Sequence, residues 1–233
     1  ILALFVLEEV GVPPHWLGPV SLLGAGYTVG LVSYWAYRGV RRASRRFQVV
    51  QQIPAEYFQT KRRSLRGVVV DVADGDNFRM VHTTLLHPKP TFDGPKSKNT
   101  LSIRLAGIDA PEQDWFGKEP QPMAKEALEW LRNYLLNKKV RIQLHSTDQY
   151  GRAVCSVFVK KYGLLEKNVS VEMLKEGLAF VYSSGGAQYG NLTVEDLLKV
   201  QEEAKRKKKG VWALKKIETP AEYKLRMKGQ SPA

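Results

Sequence analysis

Between Leu65 and Val159 the chain runs through five short stretches rich in β-branched residues: LRGVVVDV, NFRMVH, LSIRLAGI, KVRIQLH and AVCSVFV. Stretches this short, separated by turn-forming residues, are strands of a small sheet rather than helices. Helical spacing replaces them in three places. Met123, Ala127, Trp130, Leu131, Tyr134 and Leu135 share a face within 121–136, and Val169, Met173 and Leu174 do so within 169–176. Val194, Leu197, Leu198 and Ala204 do the same within 193–208, with Thr193 placed to cap. Five short strands and three helices predict an α+β domain built on an OB-type β-barrel. The segment 83–100, with Pro88, Pro90, Gly94 and Pro95, is expected to be a long surface loop.

Ahead of this domain, Trp16 to Tyr37 is 22 residues without a charge. At ~1.5 Å per residue a helix of that length crosses a ~30 Å hydrocarbon core. Trp16, Tyr34, Trp35 and Tyr37 sit near its ends, and Arg38, Arg41, Arg42, Arg45 and Arg46 follow. Aromatic ends and a basic flank are features of a transmembrane helix with its C-terminal side on the cytoplasmic or matrix face. A buried helical hairpin is the alternative. The expected organisation is an unassigned segment 1–15, a span 16–37, a basic connector 38–63, the barrel domain 64–214 and a tail 215–233.

The formal net charge is +13, from 36 Lys and Arg against 23 Asp and Glu. That surplus favours a polyanionic partner, either nucleic acid or an anionic membrane surface. Cys155 is the one cysteine, so the chain forms no internal disulfide and has no cysteine-based metal cluster.

Three segments concentrate chemistry: DGDN at 74–77, RLAGIDAPE at 104–112 and DQYGR at 148–152. Asp76, Asp109 and Glu112 offer oxygen ligands to a hard cation such as Ca²⁺. Within LSIRLAGI, alternation puts Arg104, Ala106 and Ile108 on one face, and Pro111 then turns the chain out of the strand. Arg104 and Arg152 suit phosphodiester cleavage, because a guanidinium grips phosphoryl oxygens with paired N–H groups and keeps its charge at working pH. They would stabilise the added negative charge of a five-coordinate phosphorus. Glu112 would orient or deprotonate the attacking water. Each segment taken alone is also an ordinary polar turn.

The order DGD, then R-x-x-x-x-D-x-P-E, then D-x-Y-G-R resembles the staphylococcal nuclease family, as do EMLKEGLA at 172–179 and KKKGVW at 207–212. The resemblance runs from Leu65 to about Leu214. It implies an OB barrel with three helices and nuclease activity on DNA, RNA or both, with release of the 5′-oxygen. It implies one Ca²⁺ on Asp76, Asp109 and the Ala110 carbonyl, with Glu112 as general base and Arg104 and Arg152 on the phosphate. Tyr150 would line the nucleotide pocket, and Tyr182 would stack on a base. Asn77 departs from the family's usual threonine, and Gln149 from a frequently basic position.

The whole layout, an apolar span, a basic connector and then the domain, is similar to membrane-anchored mitochondrial endonucleases of this family described from fungi. That likeness implies a single-pass mitochondrial protein with its nuclease domain on the matrix or cytoplasmic side. The alternative is a catalytically idle domain serving as an accessory subunit of a larger membrane complex, which would be marked by erosion of the catalytic set.

Overall fold

Strand pairing closes the barrel where the three chemistry-bearing segments meet. In the computed structural model, residues 30–41, 44–59, 63–91, 94–113, 119–161 and 165–229 are described. The chain divides into two units at Arg45 and Arg46. In the first, residues 30–41 are helical. Residues 16–29 of the expected span lie outside the described residues. Among the described residues, no helix is long and apolar enough to cross a membrane.

In the second unit, β1 (Leu65–Asp71) pairs antiparallel with both β2 (Asn77–Thr83) and β5 (Lys139–Thr147). β2 pairs with β3 (Leu101–Leu105), and β5 with β6 (Ala153–Lys161). A parallel pairing of β3 with β6, Ile103 opposite Ala153 and Leu105 opposite Cys155, closes the five strands into a barrel. Closure leaves none of the five with a bare edge facing its neighbour. β7 (Leu165–Asn168) extends the sheet from β6. Val69, Phe78, Met80, Ile103, Leu105, Ile142, Leu144, Cys155 and Val157 fill the interior and are essentially fully buried.

This topology explains why three segments distant in sequence meet. Asn77 lies opposite Arg104 in the β2–β3 ladder, and the Leu105 N–H donates to the Asp76 carbonyl at 2.9 Å. Arg152 enters β6 one residue before the parallel pair with β3 begins. The stretch LSIRLAGI is not one strand. Ala106 and Gly107 form a turn, and a separate short strand β4 (Ile108–Asp109) pairs with β8 (Phe180–Val181). Gly107 has φ +75°, and a Cβ there would lie 2.7 Å from Leu197 Cδ1. The turn therefore needs glycine for both backbone conformation and packing.

Helix α1 (Ala124–Leu135) buries Ala124, Ala127, Leu131 and Leu135, a three-and-four spacing that lays one face on the barrel. α2 (Val169–Lys175) is capped by Asn168, whose side chain accepts from the Ser170 N–H at 3.0 Å. α3 (Val194–Arg206) starts with a reciprocal Thr193–Asp196 capping box.

Two segments pack where the sequence suggested only a connector and a tail. Phe47, Val50 and Ile53 are buried in the core, and the Phe47 N–H donates to His82 Nδ1 at 3.0 Å with the two rings stacked. Phe47, Val50 and Ile53 fall three residues apart around a single short 3-10 turn (Val50–Gln52), too few apolar positions to mark an element in the sequence. Past Leu214, a further helix, α4 (Pro220–Gly229), buries Tyr223 and Met227. Burying a side chain of that size contributes about 2 kcal/mol. The Tyr223 hydroxyl donates to the Glu119 carbonyl at 2.5 Å, and Gln121 Nε2 donates to the Glu218 carbonyl at 2.5 Å.

Candidate active site

Arg104 joins the two aspartates expected to hold a cation. Its Nη2 lies 3.0 Å from Asp76 Oδ2 and 2.6 Å from Asp109 Oδ1. Burial would lower the guanidinium's affinity for its proton, but Asp76 and Asp109 outweigh burial, and the group stays charged. Burial and the nearby Asp76 raise the Asp109 carboxyl, while Arg104 and Lys224 oppose the rise. Both aspartates are nearly inaccessible to solvent.

The DGD loop reaches this pair because Gly75 has no side chain. A Cβ on Gly75 would lie 2.8 Å from the Ala110 Cβ. Asn77 stabilises the loop from behind: its Nδ2 donates to Asp74 Oδ2 at 3.1 Å and to Asp76 Oδ1 at 3.3 Å. Asp74 also accepts from the Gly75 N–H at 2.7 Å. Burial, with Asp76 beside it, pushes Asp74 up to about 6.

Glu112 sits just beyond Pro111, with its side chain 18% exposed. Lys224 Nζ, on α4, lies 2.6 Å from Glu112 Oε1 and 3.8 Å from Asp109 Oδ2. Burial raises the Glu112 carboxyl, and the Lys224 contact restrains the rise. The backbone of Glu112 is fixed by Gln121. The Gln121 N–H donates to the Glu112 carbonyl at 2.9 Å, and the Glu112 N–H donates to Gln121 Oε1 at 3.1 Å.

Arg152 is held by Asp148. Arg152 Nε donates to Asp148 Oδ2 at 2.6 Å, and Asp148 Oδ1 accepts the backbone N–H groups of Tyr150 and Arg152, both at 2.9 Å. The Arg152 guanidinium lies over the Tyr150 ring at 5.1 Å, and that ring is 74% exposed. Arg152 and this turn lie within electrostatic range of the aspartate cluster: Arg152 lowers Asp74, and Asp148 raises Arg104. The structure thus gathers Asp76, Arg104, Asp109, Ala110 and Glu112, with Arg152 and Tyr150 on the adjoining turn. Tyr182 stands apart, just after β8. Its N–H donates to the Gly107 carbonyl at 3.0 Å and its carbonyl accepts from the Tyr189 hydroxyl at 3.0 Å, with its ring part-exposed.

Known proteins match this chain over most of its length. Residues 102–214 match the family described as staphylococcal nuclease homologue. The chain is 38% identical over 214 residues to "Endonuclease Htp3" of Saprolegnia parasitica, covering 91% of this chain and 98% of that protein. It is 41% identical over 203 residues to "Probable endonuclease LCL3" of Coccidioides posadasii, covering 80% of this chain and 65% of that protein. A protein of the same name from Uncinocarpus reesii is 42% identical over 230 residues, covering 92% and 73%. The chain belongs to the staphylococcal nuclease family.

As a member of that family it is a nuclease, a hydrolase of phosphodiester bonds. The donor set of this nuclease fits a hard cation. Asp76 and Asp109 both reach one Arg104 nitrogen, so their carboxylates face a common point, and burial together with the neighbouring Asp76 charge raises Asp109. Among the described residues, no three His, Cys, Asp or Glu side chains converge on one ion position. An ion on two carboxylates would complete its shell with backbone carbonyl and water, a composition suited to Ca²⁺ and unlike a transition-metal cage.

Three residues that build the candidate site were not assigned a role from sequence: Gln121, Asp148 and Lys224. Asp148 opens the DQYGR segment, and an aspartate four residues before an arginine across a Gly turn was a usable signal. Gln121 and Lys224 act across distances in sequence that no local pattern carries.

Proposed function

We propose that this chain is a Ca²⁺-dependent endonuclease that hydrolyses DNA, RNA or both with little sequence preference, anchored to a mitochondrial membrane by residues 16–37. The observation that carries the catalytic part is the convergence of Arg104, Asp76, Asp109 and Glu112 at the barrel's closure, with Arg152 on the next turn.

Both Arg104 pairs use Nη2, so Nη1 and Nε add three more N–H groups for phosphoryl oxygens. Asp148 takes Arg152 through Nε, which directs the two Nη groups of that fork toward the substrate side. Two such arginines hold the scissile phosphate and stabilise the charge that accumulates as a fifth oxygen bonds to phosphorus. Glu112 accepts a proton from the attacking water while the water oxygen bonds to phosphorus. The bond to the 5′-oxygen breaks opposite the incoming oxygen, and the departing oxygen takes a proton from solvent. Asp76, Asp109 and the Ala110 carbonyl would hold the ion, which supplies further polarisation of the phosphate when bound. Tyr150, exposed beside Arg152, offers a ring face to the nucleotide. Tyr182 offers a second ring near β4.

The anchor is supported by the uncharged run and by the outward apolar surface of residues 30–41. Val32 is 68% and Trp35 64% exposed there, and Arg38 lies 5.5 Å from the Tyr34 and Trp35 rings. Such a surface suits a lipid interface. The basic flank supports a matrix or cytoplasmic side for the nuclease domain.

The test uses closed circular single-stranded DNA, circular duplex DNA and RNA, each with Ca²⁺ or with chelator. The expected result is linearised circles in Ca²⁺ and none in chelator. Cleavage that persists in chelator, or activity restricted to free ends, contradicts the proposal.

A further inference from the structure

Lys224 is a cation in the active site that the family-matched segment, residues 102–214, does not contain. Its Nζ contacts the Glu112 carboxylate at 2.6 Å and stands 3.8 Å from Asp109. The helix that carries it is an integral part of the domain. Glu222 and Thr219 cap its start, the Glu222 N–H donating to Thr219 Oγ1 at 3.3 Å and the Thr219 N–H to Glu222 Oε2 at 2.8 Å. Arg226 forks onto Glu218 at 2.7 and 2.8 Å. Tyr223, one residue before Lys224, is buried and bonded to the Glu119 carbonyl.

The same anchor reaches Glu112 by a second route. Gln121 holds the Glu112 backbone and also donates to the Glu218 carbonyl at the root of α4. A single buried glutamine therefore ties the base to the helix that supplies its counter-ion. A fixed ion pair of this kind restricts a carboxylate to one rotamer, at the cost of a positive charge beside the aspartates.

We propose that Lys224 is a positioning residue for the hydrolysis: its ammonium fixes the Glu112 carboxylate, and its charge beside Asp109 weakens the site's grip on a metal ion. This rests on the nuclease reading above. The ammonium has two further N–H groups, and with its side chain 35% exposed the lysine is open to solvent on one side. The arrangement exchanges affinity for the ion against order at the base.

The experiment compares wild type, Lys224→Met and Lys224→Arg in the full chain, with Ca²⁺ binding measured by calorimetry alongside kcat and KM on single-stranded DNA. Methionine keeps much of the apolar stem and removes the charge. Lys224→Met is expected to lower kcat about 30-fold with KM within about threefold. Its Ca²⁺ affinity is expected to rise about tenfold, because a like charge near the ligands is gone. Lys224→Arg restores most of both values. Opposite changes in turnover and metal affinity are not what loss of structure produces. Unchanged kcat in Lys224→Met overturns the proposal, as do kcat and Ca²⁺ affinity falling together or a loss that arginine fails to rescue. Glu112→Gln made in parallel separates the two readings. Wild-type turnover in that variant removes the base; lost turnover there with unchanged Lys224→Met removes only the role of Lys224.

Discussion

Gln121 and Glu112 clasp each other through a reciprocal pair of hydrogen bonds, N–H of Gln121 to the Glu112 carbonyl and N–H of Glu112 to Gln121 Oε1. Gln121 is buried. The clasp fixes the position of the proposed base independently of what lies between.

Replacing Gln121 by leucine keeps the volume and removes the acceptor and donor. The part-buried Glu112 N–H and Glu218 carbonyl each lose a partner, a cost of about 1 kcal/mol each. The expected outcome is a lower Tm and a kcat reduced about tenfold or more, with KM little changed, since the base is displaced rather than the substrate site. Steady-state kinetics beside a thermal melt check both.

Gly75 is the hinge on which Asp76 meets Asp109. An added methyl at Gly75 must push against Ala110, 2.8 Å away, and Ala127, 3.4 Å away. Overpacking of this kind costs about 1–3 kcal/mol. Gly75→Ala is therefore expected to weaken Ca²⁺ binding and lower activity more than it lowers stability, because the shift falls between the two carboxylates. Calorimetric titration with Ca²⁺ against the wild type measures this.

The same contacts show what the sequence could carry. The barrel strands and three of the helices were legible because alternation and helical spacing are local. The DGD, R-to-E and DQYGR segments were legible because each packs several unusual residues into a short span. The packing of Phe47, Val50 and Ile53 was not, since three apolar residues around one short 3-10 turn are too few to stand out from a polar, basic connector. The turn at Ala106 and Gly107 was hidden inside a run that alternates well enough to pass as one strand. Lys224 was hidden for a different reason: its meeting with Glu112 is decided by where Tyr223 and Met227 bury, a tertiary event with no local mark.

His82 makes stability depend on acid. Its Nδ1 accepts from the Phe47 N–H, which requires a neutral ring, and burial followed by the Arg46 charge lowers its pKa from 6.5 to about 4. Unfolded, the ring takes a proton near 6.5; folded, it resists until about 4. Between those values the unfolded state binds more protons, so its contribution is full above the upper value and is lost as pH falls toward the lower one. The loss amounts to about 3 kcal/mol across that window. Urea unfolding across the same pH range should show this fall. His82→Asn, which keeps an acceptor and cannot titrate, should be less stable at neutral pH and flatter with acid.

The most direct test of the account is the turnover of Glu112→Gln on single-stranded DNA in saturating Ca²⁺. Glutamine keeps the size of the side chain and cannot accept the proton from water. The account predicts kcat reduced by about 10²–10⁴ with the fold and Ca²⁺ binding retained. Wild-type turnover in this variant would contradict it.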